Sequence, residues 1–146
     1  MYRNILLAVD GSAYGNGTIP YAMRLARETG ARITAIHVTR PRVEMAIGKL
    51  GAFFMSDAYT KSAAQQADAV LDTVKRAAGA AGVSLSQVRV EHEHPWEAIV
   101  RAADEEKCDL ILMASHGHKG ITGLLLGSET TKVLSHSRVP VLIWRG

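Results

Sequence analysis

The segment from Ser115 to Ser128 holds the residue types that most directly indicate a binding chemistry. It contains four glycines, at Gly117, Gly120, Gly123 and Gly127. Its last two residues, Gly127 and Ser128, open a predicted helix. Glycine lets the backbone approach an anion closely, and the first amides of a helix are unpaired donors at its positive end. We therefore predict a phosphate site here, to which Lys119 adds a permanent charge. His116 is either a phosphate contact or an exposed loop residue.

Asp10 is the second candidate, because the sequence Asp10-Gly11-Ser12 directly follows an apolar run at residues 5–9. A continuous apolar run is typical of a strand that is buried on both faces of a parallel sheet. Ligands of such sheets bind beyond the carboxyl ends of the strands, where the strand order reverses. A strand order of 3-2-1-4-5 would place Asp10 beside the end of the fourth strand, at residues 114–117.

The hydrophobic periodicity predicts strands and helices in alternation. The predicted strands are 5–9, 33–38, 88–94, 110–114 and 139–144, and the predicted helices are 18–29, 57–78, 95–107 and 127–136. Gly15, Gly17 and Pro20 delay or kink the start of the first helix, and Gly79 and Gly82 end the second. The alternation predicts one α/β domain, residues 1–146, with a Rossmann-like architecture. Its open five-stranded parallel sheet has the order 3-2-1-4-5 and helices on both faces.

Residues 40–56 form the one irregular stretch of the prediction, since Pro41 and Gly48 interrupt it and Phe53 and Phe54 lie side by side. A connection of this length without structure of its own is usually functional or mobile. The alternative is a flap that covers the sheet edge with its two phenylalanines. The sequence leaves both interpretations open.

Composition excludes several classes of protein. The single cysteine, Cys108, excludes a disulfide scaffold and is predicted to be a small buried residue. No apolar run approaches the roughly 18 residues of a membrane span, and none resembles a signal peptide, so we expect a cytoplasmic protein. The net charge is +3, but the basic residues are spread along the chain and only 5% of residues are aromatic. This composition argues against binding to nucleic acid.

Other motifs fail on their spacing. Pro20 stands where a dinucleotide fingerprint needs its third glycine, and a phosphorelay receiver would need an acidic pair where only Asp10 follows the first strand. His92 and His94 would point to the same side of a predicted strand, but no further ligands stand at metal spacing, so we predict no metal site. Nothing in the sequence beside Asp10 supplies a nucleophile, so we assign no catalytic residue.

The spaced glycines resemble the sequence motif of the universal stress protein family, which is Gly-x2-Gly-x9-Gly-Ser/Thr after the fourth strand. This chain reads Ala114-Ser115-His116-Gly117, then nine residues, then Gly127-Ser128. The opening Asp10-Gly11-Ser12, the pair His37-Val38 and the run Val139-Pro140-Val141-Leu142-Ile143 also fit. The resemblance covers the whole chain and implies the fold of the adenine nucleotide alpha hydrolase-like proteins.

The resemblance further implies an ATP site, with or without Mg²⁺. By position, it places Ala8 and Val38 against adenine, Met113 against the base or ribose, and Asp10 against the adenosine part. It places Gly117 against the ribose and phosphates. The phosphates would be held by Gly127, Ser128 and the amide of Glu129. The implied function is an ATP-binding regulatory or stress-response protein without efficient catalysis.

Ala114 is the one departure from the motif, since the family has glycine at this position. Its methyl group would crowd the ribose or force a backbone angle that only glycine tolerates, so we expect weakened rather than lost binding. The chain lacks a P-loop lysine and an acidic pair for Mg²⁺, so a slow ATPase or a hydrolase of a nucleotide-like substrate is a less favoured alternative. A nucleotide-free dimerisation module is the third alternative, if Ala114 blocks the pocket.

The last predicted strand, from Val139 to Trp144, would lie at an edge of the sheet. It carries no charge before Arg145, and an exposed edge with unpaired amides and carbonyls is a template for another chain. We therefore predict a homodimer in which this strand pairs antiparallel with its copy across a twofold axis. The resemblance implies the same, since many members of the family dimerise through this strand.

Overall fold

A computed structural model describes residues 1–41, 49–116 and 126–146 of the chain. Strands and helices alternate along it in this order: β1 (Asn4–Ala8), α1 (Ala13–Thr29), β2 (Arg32–Thr39), α2 (Lys49–Ala81), β3 (Leu85–Glu91), α3 (Pro95–Glu105), β4 (Leu110–Ala114), α4 (Ser128–His136) and β5 (Val141–Trp144). Strands joined through helices in this way run parallel, because each crossover returns the chain to the same end of the sheet.

The five strands form one parallel sheet in the order β3-β2-β1-β4-β5, which confirms the predicted fold class. β1 lies at the centre, and its Ile5 is aligned with Ile33 of β2 on one side and with Leu110 of β4 on the other. The chain first adds strands outwards from β1 to β3, and then crosses over to add β4 and β5 on the opposite side. The carboxyl ends of β1 and β4 therefore flank the point where the strand order reverses.

Alternate residues of β1 enter two separate cores, one on each face of the sheet. Ile5 and Leu7 belong to the core under α1 and α2, whereas Leu6 belongs to the core under α3 and α4, and all three are completely buried. Successive side chains of a strand point to opposite faces, so a central strand covered on both faces needs a continuous apolar run. Val74 of α2 and Val133 of α4 are the helical counterparts in the two cores.

The prediction that the first helix begins late, near Thr18, was wrong. α1 begins at Ala13, and Ser12 caps it, since the Ser12 hydroxyl accepts a hydrogen bond from the amide of Gly15 at 2.9 Å. A serine cap contributes about 1 kcal/mol, which offsets the cost of about one glycine inside the helix. Gly15 also fits for a steric reason, since a Cβ atom there would lie 2.6 Å from Oδ1 of Asp10.

The second helix begins earlier than predicted, so the irregular stretch assigned to residues 40–56 was wrong from Lys49 onward. Residues 42–48 and the side chains of Phe53 and Phe54, on which the flap interpretation depends, lie outside the described residues. α2 is 33 residues long. Even so, none of the helices in the described ranges combines the length and apolarity that crossing a membrane requires.

The C-terminal end of α2 was also misplaced, because the helix continues through Gly79 to Ala81. A side chain at Gly79 would meet nothing within 4 Å, so this glycine marks neither a turn nor a close approach. Gly82, the second of the two glycines predicted to end the helix, does end it, at a φ of 68° in the left-handed conformation. The next amide, of Val83, bonds back to the carbonyl of Ala78 at 3.0 Å, which is typical of a glycine-terminated helix.

β3 ends at Glu91, so the prediction of a strand that continues to His94 was wrong. Pro95 opens α3, and His94 is the extended residue that precedes the helix. His92 and His94 therefore do not share a strand face. The amide of His94 donates to Nδ1 of His92 at 2.9 Å, while Nε2 of His92 lies 3.6 Å from Oε2 of Glu97.

β5 occupies one edge of the sheet and begins at Val141, two residues later than predicted. Pro140 precedes it and already joins the sheet through its carbonyl, which accepts a hydrogen bond from the neighbouring strand. Trp144 packs against α1: its ring centroid lies 4.9 Å from that of Tyr21. A Cβ atom at Gly17 would approach Nε1 of Trp144 to 3.1 Å, so the glycine allows this contact.

A polar network around the buried Asn4 closes the amino end of the sheet. The Asn4 amide bonds to the Asp109 carboxylate at 3.1 Å, its side-chain amide donates to the Glu106 carbonyl at 2.9 Å, and its side-chain oxygen accepts from the Thr34 hydroxyl at 2.9 Å. Cys108 is buried beside this network, as predicted. Burial raises the pKa of the Cys108 thiol to about 11, because desolvation disfavours the thiolate.

We expect Cys108 to resist thiol reagents in the folded protein. At about pH 8 the folded protein should react with Ellman's reagent far more slowly than the protein unfolded in guanidinium chloride, where the pKa returns to its ordinary value of 9.0. Because folding raises this pKa, any stability contributed by the thiol is present below pH 9.0 and is lost as the pH rises towards about 11. Equal rates in the two states would contradict the burial.

Candidate functional site

A cavity of about 480 Å³ opens at the carboxyl ends of β1, β2 and β4. It lies where the strand order reverses, which is where open α/β sheets bind ligands. Nine of the residues predicted to form a binding site line it: Ala8, Asp10, Val38, Met113, Ala114, His116, Gly127, Ser128 and Glu129. The other two predicted residues, Gly117 and Lys119, lie outside the described part of the chain.

One wall of the cavity is apolar and belongs to the core under α3 and α4. It consists of Ala8, Ile36, Val38, Ile99 and Met113. Ile36, Ile99 and Met113 are buried, whereas Ala8 and Val38 are partly accessible from the cavity side. A wall of this kind accepts a flat apolar or aromatic group, while nearby polar residues fix the orientation of such a group.

The carboxylate of Asp10 is held in one orientation by the turn that follows β1. Its Oδ1 accepts hydrogen bonds from the amide of Ser12 at 2.9 Å and from the Ser12 hydroxyl at 2.6 Å. The same hydroxyl accepts from the amide of Gly15, so the carboxylate is linked directly to the first turn of α1. The sequence Asp10-Gly11-Ser12 thus fixes an acceptor at the rim of the cavity before any ligand arrives.

The hydrogen bonds of Ser12 and His116 give no support to a nucleophilic triad. The Ser12 hydroxyl donates to Asp10 and accepts from Gly15, which are the bonds of a helix cap. Nδ1 of His116 lies 3.1 Å from the hydroxyl of its neighbour Ser115. A triad needs the histidine between serine and aspartate, and the bonds described here do not connect them in that order.

The N-terminus of α4 is anchored to the end of β4. Gly127, the residue before the helix, donates its amide to the Ser115 carbonyl at 2.7 Å, and the Thr130 hydroxyl donates to the Ala114 carbonyl at 3.0 Å. A Cβ atom at Gly127 would lie 3.2 Å from the Ser115 carbonyl oxygen, so glycine permits this close approach. The first amides of α4, including that of the exposed Ser128, carry the positive end of the helix.

Ala114 occupies the motif position without backbone strain. It is the last residue of β4, is paired in register with Trp144, and is buried. Among the non-glycine residues that the structure describes, only Lys107 has a positive φ. The expectation that alanine would force a glycine-type backbone angle was therefore wrong, and what remains is a methyl group in the cavity wall.

Several lining residues were missed by the sequence analysis. They are Val9, Gly15, Ile36, His37, Thr39, Arg40, Ser62, Ala63, Gln66, Pro95, Ile99 and Thr130. His37 is buried, and its Nδ1 lies 2.9 Å from the carbonyl oxygen of Val9, which fixes the ring between β1 and β2. The three residues from α2 carry no motif, and the packing of this helix beside the ends of the strands brings them to the cavity.

The side chain of Glu129 has contacts that the sequence did not indicate. Oε2 accepts a hydrogen bond from the amide of Trp96 at 2.8 Å, and Oε1 lies 3.1 Å from a guanidinium nitrogen of Arg40. The residue was predicted to contribute only its backbone amide. Its carboxylate instead joins α4 to α3 and to the segment after β2.

The described residues contain no group of three or more histidine, cysteine, aspartate or glutamate side chains that could hold a metal ion. His92 has Glu97 as its nearby acidic neighbour, and both lie outside the cavity lining. The arrangement of the cavity itself, with an apolar wall, a fixed carboxylate and a helix N-terminus, is suited to a ligand that combines an aromatic group, hydroxyls and an anion.

Comparison with known proteins gives the same fold throughout. Hypothetical protein MJ0577 superposes with a TM-score of 0.87 at 24% identity, over all of this chain and 97% of that one. A universal stress protein solved in complex with cAMP superposes with a TM-score of 0.70 at 26% identity, over 99% of this chain and 97% of that one.

The sequence comparisons place the chain in a family. The universal stress protein in the QAH/OAS sulfhydrylase 3'region of Thermus aquaticus is 33% identical over 145 residues, which are 99% of this chain and 100% of that protein. The model of the universal stress protein family matches residues 1–145. This chain therefore belongs to the universal stress protein family.

Proposed function

We propose that this universal stress protein binds an adenine nucleotide in the cavity between β1 and β4, and that it acts as a regulatory or stress-response protein rather than as an efficient enzyme. The observation that carries the proposal is the order of groups around the cavity: an apolar wall, the oriented Asp10 carboxylate and the N-terminus of α4. The cAMP complex of a relative that is 26% identical supports the adenine nucleotide class.

In this proposal each part of the nucleotide meets a matching part of the cavity. The base lies against the apolar wall beside Ala8, Val38 and Met113, and the Asp10 carboxylate accepts hydrogen bonds from ribose hydroxyls. The phosphates lie against Gly127, whose own amide bonds to the Ser115 carbonyl, and meet the amides of Ser128 and Glu129, where the helix dipole favours negative charge. Gly117 and Lys119, which lie outside the described residues, remain phosphate contacts predicted from the sequence alone.

ATP, with or without Mg²⁺, is the nucleotide that we propose within this class. The acidic side chains in the described cavity lining are Asp10 and Glu129. Asp10 already accepts hydrogen bonds from Ser12, and Glu129 already bonds to Trp96 and Arg40. A bound Mg²⁺ would therefore take most of its ligands from phosphates and water, as this ion commonly does.

Two alternatives find less support. A slow ATPase would need a group that activates water, and the cavity's Asp10 carboxylate is already engaged by two donors from Ser12. A nucleotide-free dimerisation module would need Ala114 to block the pocket, yet a cavity of about 480 Å³ remains beside Ala114. Phosphate release from ATP by the purified protein tests the first alternative directly.

Ser128→Asp tests where the phosphates bind. The new carboxylate would stand beside the phosphate, so AMP affinity should fall by at least about tenfold, or about 1.4 kcal/mol. Adenosine, which lacks the phosphate, should bind the variant and the wild type about equally. An acidic residue in the first turn of a helix is stabilising, so α4 should remain folded. Calorimetric titration with AMP and with adenosine measures both affinities.

Gly79→Asp is the matched control for this variant. It adds the same charge at a position of α2 where a side chain meets nothing within 4 Å. The position lies about 20 Å along the helix from the cavity residue Gln66. This control should bind AMP as the wild type does. Unchanged AMP affinity in Ser128→Asp would show that the phosphates lie elsewhere.

We also propose that the protein is a homodimer joined by β5. β5 ends the sheet, and its outer side is unpaired among the described strands. Its four residues are apolar and half-buried, so nothing in the strand opposes pairing with a second copy. An antiparallel pair of β5 strands across a twofold axis would make one continuous sheet from two subunits.

Ile143→Lys tests this interface with little risk to the fold. Ile143 packs into neither of the two described cores, unlike Val141, Leu142 and Trp144. Two lysines near one twofold axis would repel each other, so light scattering should report a dimer for the wild type and a monomer for the variant. Leu134→Lys, at a 48% exposed position on α4, should stay dimeric. A wild-type monomer at micromolar concentration would contradict the proposal.

A further inference from the structure

Glu129 joins three elements around the cavity. It lies in the first turn of α4, and its two carboxylate oxygens contact different partners: the amide of Trp96 at 2.8 Å and the guanidinium of Arg40 at 3.1 Å. Trp96 lies in the first turn of α3, and Arg40 directly follows β2. The glutamate thus spans from the end of the cavity where we place the phosphates to the strand where we place the base.

The bond to Trp96 has a structural role that does not depend on Arg40. His94, the residue before α3, makes no side-chain cap, and Pro95 at the start of the helix has no amide hydrogen. The Trp96 amide is therefore an early helix donor that needs an acceptor from elsewhere, and Glu129 Oε2 supplies it. The Trp96 ring is held separately, 4.4 Å from the ring of His136.

The bond to Arg40 is of a different kind. The Arg40 side chain is 55% exposed and that of Glu129 is 28% exposed, and ion pairs with this degree of exposure are weak. A phosphate offers more charge than a carboxylate and binds the planar guanidinium through two parallel hydrogen bonds. A phosphate at the first turn of α4 would stand next to the Arg40 guanidinium and compete for it.

We propose that Arg40 is a phosphate-binding residue of this site, which Glu129 holds in the ligand-free protein and releases to the nucleotide phosphate on binding. This inference rests on the proposed nucleotide function. Glu129 stays bonded to the Trp96 amide during this exchange, so α3 keeps its cap. Arg40, at the end of β2, is then linked to α4 through the bound phosphate instead of through Glu129. Adenosine has no phosphate and leaves the ion pair in place.

Two substitutions separate the charge of this pair from the cap. Arg40→Gln removes the guanidinium and keeps a polar side chain of moderate length. Glu129→Gln removes the carboxylate charge but keeps a side-chain oxygen that can accept from the Trp96 amide. Both variants and the double variant should unfold near the temperature of the wild type, which confirms that the cap persists. Arg101→Gln, at an exposed position on α3 outside the cavity lining, is the matched control.

The decisive measurement is the AMP affinity of these proteins by calorimetric titration, with adenosine as the uncharged probe. Arg40→Gln should weaken AMP binding about fivefold in the wild-type background, because Arg40 must leave Glu129 to reach the phosphate. In the Glu129→Gln background that competition is gone, and the same substitution should weaken AMP binding by more than about tenfold. Adenosine affinity should change less than about twofold in every variant.

Other results would overturn the role of Arg40. If Arg40 only neutralises Glu129, Arg40→Gln will cost less AMP affinity in the Glu129→Gln background than in the wild type. An equal loss for AMP and adenosine would show that Arg40 shapes the pocket without touching phosphate. Unchanged AMP affinity in Arg40→Gln would exclude any contact. Failure of the wild type to bind either probe would instead contradict the nucleotide function itself, and this role with it.

Discussion

The parallel pairing of β1 with β4 is the constraint on which the rest of the structure depends. β1 also pairs with β2, so the chain must leave the centre of the sheet in both directions. This reversal leaves the carboxyl ends of β1 and β4 side by side without a crossover helix filling the space between them. Only a strand buried on both faces can hold that central place, and the completely buried Ile5, Leu6 and Leu7 allow it.

The two strand ends are held by similar means. After β1, the bonds among Asp10, Ser12 and Gly15 fix both a carboxylate and the start of α1. After β4, the bonds of Gly127 and Thr130 to the end of the strand fix the start of α4. The Asp10 carboxylate and the first amides of α4 are thus fixed together with the starts of the flanking helices, so these two groups need little reorganisation to bind a ligand.

The location of the cavity could be predicted from the sequence, because strand ends are local features, but nine of its lining residues were predicted and twelve were not. Asp10 follows from the end of a buried apolar run at the edge of a parallel sheet, whereas Val38 and Met113 were predicted by position from the resemblance to the family. Gln66 could not be predicted in this way, since its approach depends on how α2 packs, and the contact of Arg40 with Glu129 joins residues 89 positions apart in the sequence. The start of α1 was predicted too late because Gly15 and Gly17 disfavour a helix in a local pattern. In the structure, the Ser12 cap and the close approach of Gly15 to Asp10 set the boundary.

The two tryptophans of the chain lie at different places in the fold. The backbone of Trp96 touches the carboxylate beside the cavity, and its indole rests on His136. Trp144 stands on the edge strand β5 against Tyr21 of α1. The protein therefore contains two intrinsic fluorophores, one in the surroundings of the cavity and one at the sheet edge. Replacing either indole leaves a single native emitter, which separates an optical signal from the surroundings of the cavity from one at the sheet edge without an attached dye.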